Sequence, residues 1–131
     1  MIRKLTVWNN PFLSYEYYTE LDFISGQAVY KTNVTHTSDF PKNSKDYECL
    51  LLLPKERIHH FLPQLCILDT WESTYGSDFE GAVIDGFKWS IKIFGECERE
   101  IKGSQCKPKE FDNFISELEI LLQKDFGGYY A

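Results

Sequence analysis

No apolar run in this 131-residue chain approaches the roughly 20 residues that a membrane-spanning helix needs; the longest extends from Cys49 to Pro54. The opening segment, MIRKLTVWNNPF, has two bases but neither a long apolar core nor a small-residue cleavage site, so no secretory signal is expected. Cysteine is sparse: Cys49, Cys66, Cys97 and Cys106 show no CxxC spacing, which points to free thiols in a reducing compartment and a cytoplasmic location. Gly76, Gly81 and Gly86 match neither glycine-rich phosphate-binding pattern, and no G-x-S-x-G elbow is present. Bases are also in deficit. Fourteen stand against twenty acids, giving a formal charge of -6 and a pI near 5.0. Such a balance repels phosphate backbones and anionic headgroups, so neither nucleic acid nor membrane is an expected partner, whereas a basic protein is.

What is present suits one domain over residues 1–131, since a chain of this length buries roughly two thirds of its unfolded surface. Ser14 to Val34 reads as a hairpin about Ser25-Gly26, with partners whose numbers sum to 51. That register sets Tyr17, Thr19, Leu21 and Phe23 on a core face beside Ala28, Tyr30, Thr32 and Val34, and places Glu20 opposite Lys31 on the wet face. Thr35 to Asp46 is polar enough for a loop. Cys49 to Leu53 lacks alternation, as a strand covered on both faces would. Pro54 can open a helix through Ile58, Phe61, Leu62 and Leu65, with a kink or split expected at Pro63.

In IDGFKWSIKI, residues 84–93, Phe87, Trp89, Ile91 and Ile93 alternate with Lys88, Ser90 and Lys92, the period of a half-buried strand. A three-residue loop, Gly95-Glu96-Cys97, pairs Ile91 with Ile101, Trp89 with Gly103 and Lys92 with Glu100; a two-residue loop would turn charges onto the apolar face. Asp85-Gly86 then forms the bend entering the strand, and no His or second carboxylate is tied to Asp85 by spacing. Phe111, Phe114, Ile115, Leu118, Leu121 and Leu122 make the stripe of an amphipathic helix, begun near Pro108 and stopped by Gly127-Gly128. The expected fold is α+β, an antiparallel sheet of about five to seven strands with two helices packed on one face.

The order Trp71, Tyr75, Ile84-Asp85-Gly86, Trp89-x-Ile91-x-Ile93, Lys102-Gly103-Ser104 and Pro108-x-x-Phe111-x-x-Phe114 resembles a loose group of small bacterial proteins with a W…Y…DG..W.L.I…G…P..F..F pattern. The likeness covers about residues 68 to 115 and departs at Gln105-Cys106-Lys107. Some members look like immunity proteins of toxin–immunity pairs, so the resemblance implies a shared scaffold and, by analogy, an immunity-like role.

Catalytic readings are weak. His59 and His60 are adjacent and would point about 100° apart on a helix, a poor arrangement for one metal ion, and no metal or other cofactor is expected. Cys66 reads as a small core residue and Cys97 as an exposed loop thiol. Glu16, Glu20 and Asp22 share a strand face with Tyr18, which a solvated face explains better than an acid–base pair does, since such a pair needs a deep cleft that one small domain seldom offers. The distinctive signal is a charge asymmetry. From Ile58 to Phe87 no Lys or Arg occurs, while Asp69, Glu72, Asp78, Glu80 and Asp85 alternate with Trp71, Tyr75 and Phe79. Aromatic anchors beside acids are interface material, so Glu72, Asp78, Glu80, Asp85, Trp71, Tyr75 and Phe79 are the candidate partner-binding residues, facing a basic, toxin-like protein; the alternative is that Trp71 and Tyr75 belong to the core and the acids solvate a loop. The expected function is non-enzymatic protein binding. A small hydrolase using Cys or His and a self-associating subunit are the alternatives.

Overall fold

The computed structural model describes residues 2–12, 15–33, 49–76 and 87–128. Seven strands form one sheet: β1 (Lys4–Phe12), β2 (Tyr15–Asp22), β3 (Gln27–Asn33), β4 (Cys49–Leu52), β5 (Thr74–Gly76), β6 (Lys88–Phe94) and β7 (Glu98–Ser104). Two helices, α1 (Lys55–Leu68) and α2 (Phe111–Leu122), complete the α+β fold. The sheet order is β4-β3-β2-β1-β6-β7-β5, antiparallel throughout except where β5 runs parallel to β7.

Strand β1 is central and pairs with both β2 and β6. Its hydropathy pattern does not announce it, because the core-facing sequence Leu5, Val7 ends in a polar residue, Asn9. That amide is nonetheless buried, with Nδ2 donating to the Phe126 carbonyl at 2.7 Å.

The β6–β7 hairpin has the anticipated register: Ile91 faces Ile101, Trp89 faces Gly103 and Lys92 faces Glu100. The β2–β3 hairpin keeps its anticipated faces but is two residues out of step, with partners summing to 49. Its loop comprises Phe23 to Gly26, because the Asp22 carboxylate accepts the N–H groups of Ile24 and Ser25 at 2.9 and 3.0 Å and Gly26 takes a φ of +79°. A shift of two conserves parity, so Tyr17, Thr19 and Leu21 remain core-facing while Glu20 meets Val29 rather than Lys31. Glu20 pairs instead with Lys4 of β1, at 2.9 Å.

Four further expectations are corrected. Strand β4 is not covered on both faces; it is a sheet edge, with Leu50 and Leu52 53% and 76% exposed. Helix α1 is not split at Pro63 but continues through it to Leu68, and the exposed position of Pro63 lets water satisfy the carbonyl that its missing N–H leaves free. Pro54 is the N-cap residue rather than the first helical one. Helix α2 ends at Gln123 in the left-handed conformation, φ 54°, before the two glycines are reached. The chain then folds back: Phe126 is fully buried beside Tyr17 and Tyr30, and the Glu119 carboxylate accepts the N–H groups of Phe126 and Gly128 at 2.7 and 3.0 Å. A Cβ on Gly128 would strike that carboxylate, so the glycine serves the tail rather than the helix stop.

The core lies between the sheet and the helices, where Phe61 of α1 meets Phe114 of α2 at 5.7 Å between ring centroids. Trp89 is its largest fully buried side chain. The indole lies over Gly103, where an added Cβ would fall 2.5 Å from Cε2 and 2.7 Å from the Cys106 carbonyl, and its Nε1 donates to that carbonyl at 2.9 Å. Trp89→Ala is expected to cost about 3–5 kcal/mol by cavity formation and loss of this hydrogen bond. Gly103→Ala, which adds one carbon to a full space, is expected to cost about 1–3 kcal/mol. Urea unfolding of both variants checks the pair.

Candidate protein-binding surface

Helix α1 delivers the first residues of the acidic stretch. Past its C-cap, Asp69, the turn continues through hydrogen bonds from Thr70 N to the Ile67 carbonyl and from Trp71 N to the Leu68 carbonyl. Arg99 of β7 reaches this helix end. Its Nη1 donates to the Leu68 carbonyl at 3.1 Å and its Nη2 to the Trp71 carbonyl, so the guanidinium satisfies acceptors that a helix C-terminus leaves open. Nη1 also stands 3.9 Å from an Asp69 carboxylate oxygen. A segment without bases in the linear sequence therefore has one folded against it.

Trp71 belongs to the core, which decides for the alternative reading of this residue and against its use as a partner-facing anchor. It is 4% exposed, its ring meets Trp89 and Phe114 at 6.1 and 5.7 Å, and its Nε1 donates to Glu110 at 3.2 Å. Tyr75, on β5, is half-buried against Trp89 at 5.9 Å, and its hydroxyl accepts the Glu72 N–H at 2.8 Å. The Glu72 side chain is exposed. Lys102 N donates to the Ser73 carbonyl, and Gly76 takes a φ of +104° with no room for a Cβ beside the Ser104 backbone. Asp78, Phe79, Glu80 and Asp85, with the Asp85-Gly86 bend, lie outside the described residues, as do Val34 and the loop expected at Thr35 to Asp46. Phe87, where description resumes, packs on Phe111 at 5.4 Å and accepts a hydrogen bond at its carbonyl from Gln105 N. Both Trp71 and Phe87 thus pack on Phe111, which itself stands 4.8 Å from Trp89.

The other candidate residues have different surroundings. His60 is exposed and paired with Glu117 of α2 at 3.1 Å. His59 and Cys66 occupy one face of α1, but seven residues separate them by about 10 Å along the axis, beyond hydrogen-bond reach. Cys66 is exposed rather than part of the core, Cys97 and Cys106 are exposed, and all four thiols are free. Among the described residues no three His, Cys, Asp or Glu side chains are grouped as metal ligands, and no helix is long and apolar enough to cross a membrane.

The face carrying Glu16, Glu20 and Tyr18 is not simply solvated. Glu16 is 5% exposed and accepts the Trp8 Nε1 hydrogen bond at 3.3 Å. Burial, then the adjacent charge of Glu20 and the hydrogen bond to it, hold the Tyr18 hydroxyl well above its ordinary value of 10.0. These groups are committed to one another rather than poised around a cleft. Comparison with family models, curated proteins and solved structures finds no match to this chain.

The Tyr18 shift has a defined consequence. Its folded pKa exceeds its unfolded one, so its contribution to stability is complete below about pH 10 and is lost as pH rises toward the folded value. Wild type is therefore expected to lose more stability than Tyr18→Phe between about pH 10 and 12, which urea unfolding across that range measures.

Proposed function

We propose that this protein is a non-enzymatic protein-binding module that holds a basic partner by charge and shape, in the manner of an immunity protein occluding a basic toxin. The observation that carries the reading is the shared footing of the acidic stretch. Trp71, Tyr75 and Phe87, at or near its two ends, are seated on the cluster formed by Trp89 and Phe111. Groups anchored on such a cluster, as Tyr75 is, lose less conformational entropy on binding than groups on a free chain.

In this reading Glu72, Asp78, Glu80 and Asp85 pair with lysines or arginines of the partner, and Phe79 and the half-buried Tyr75 supply apolar contact. Trp71 acts from beneath, as support. The net charge of -6 favours encounter with a basic surface, and the Glu72 side chain stands free in solvent to meet it. Arg99 offsets one of the five negative charges of Asp69, Glu72, Asp78, Glu80 and Asp85, so the stretch stays acidic with the guanidinium in place.

Steered association of this kind is sensitive to charge and to salt. Replacing Glu72 and Glu80 together by lysine is expected to reduce the association rate with the basic partner about tenfold at low salt and to flatten its salt dependence, read by surface plasmon resonance. Unchanged kinetics would remove this corner from the interface.

A further inference from the structure

The two ends of the sheet are built differently. At one end β5 is three residues long, polar, and closed by Gly76. At the other, β4 belongs to a stretch, Cys49 to Pro54, with no charge in a chain that has thirty-four charged residues, fourteen basic and twenty acidic. Exposed edge strands are ordinarily blunted by lysine, proline or a bulge, since their unpaired backbone groups invite another strand. Here Leu50 and Leu52 point outward beside Val29 and Gln27 of β3, and Ile24 of the neighbouring turn is 74% exposed. Three of the five large, exposed hydrophobic side chains among the described residues therefore gather at this corner. Ile24 and Leu52 border a groove of about 600 Å³ that Phe23, Leu53 and Ile58 also line.

From this edge we infer that the protein associates with a second copy of itself, β4 against β4, in antiparallel register about a twofold axis at Leu51. The register follows from parity. A twofold axis perpendicular to the sheet must match outer face to outer face, so partner numbers sum to an even value. A sum of 102 sets Leu50 opposite Leu52 of the second copy, Leu51 opposite itself and Cys49 opposite Leu53, so that each outward leucine meets a leucine. One outer-face row then reads Val29, Leu50, Leu52 and Gln27, the last two from the second copy, with no charge at the joint. The molecule's overall charge opposes self-association, and this uncharged edge is where that opposition is weakest.

The joint pairs five residues per copy, Cys49 to Leu53, and falls at the low end of interface sizes, below about 1,200 Å², which corresponds to a dimer that forms in roughly the micromolar range. It leaves the β5 end of each copy free. With strands about 4.8 Å apart and six steps from β4 to β5, each acidic corner lies about 29 Å from the joint, so the dimer carries two binding corners at its far ends.

Sedimentation velocity from low to high micromolar concentration tests the inference. Wild type is expected to pass from 15.4 kDa toward twice that mass. Leu52→Lys places a charge on a side chain that is 76% exposed, so it is expected to keep the wild-type circular dichroism spectrum and to remain monomeric throughout. Ile120→Lys, a comparable change on α2 away from the edge, is expected to dimerise as wild type does. A wild type that stays at 15.4 kDa, or a Leu52→Lys variant that associates like wild type, overturns the proposal.

Discussion

The placement of Trp89 across Gly103 is the contact on which the rest of the structure depends. An indole can lie there because the facing residue has no Cβ, and its N–H then fixes the Cys106 carbonyl. That hydrogen bond sets the path of the chain out of β7 toward Pro108, whose carbonyl accepts the Phe111 N–H at the start of α2. The same ring receives Trp71, Tyr75 and Phe111. Hairpin register, helix placement and the footing of the acidic stretch are therefore consequences of one contact between a large residue and the smallest one.

Charge has two roles in this molecule. Where carboxylates are buried they are met by donors: Glu119 by the N–H groups of Phe126 and Gly128, and Glu16 by the indole of Trp8. Burial of an ionised group is costly without such partners, so these two acids fix backbone and aromatic positions. Where the acids are exposed, as at Asp69 and Glu72, they shape the field that a partner meets. On the two proposals made above, the polar β5 end takes a basic protein and the apolar β4 end a like chain.

Much of this architecture was legible in the sequence, and the exceptions have physical reasons. The β6–β7 register could be read because only an odd loop keeps Trp89, Ile91 and Ile93 off the charged face. The α2 stripe could be read because six apolar residues keep one helical face. In β2–β3 the faces were legible, but the register was not, since Gly26 closes a four-residue loop that the Asp22 carboxylate organises. Strand β1 was hidden by Asn9, a core-facing amide whose partner, the Phe126 carbonyl, is 117 residues away. The leucines of β4 suggested burial that edge position denies them. At the candidate site, the spacing of Trp71 and Tyr75 identified an aromatic cluster without deciding whether Trp71 faces inward or outward, and Arg99 entered through tertiary folding alone.

The central claim, that the acidic corner holds a basic protein, is tested most directly by affinity capture from an extract of the source cells at low and then high salt, with the retained proteins identified by mass. The account predicts a basic protein retained at low salt and released as the ionic strength shortens the range of the field. Specific retention of nothing, or of proteins indifferent to salt, would contradict it and leave the acidic stretch as solvated surface.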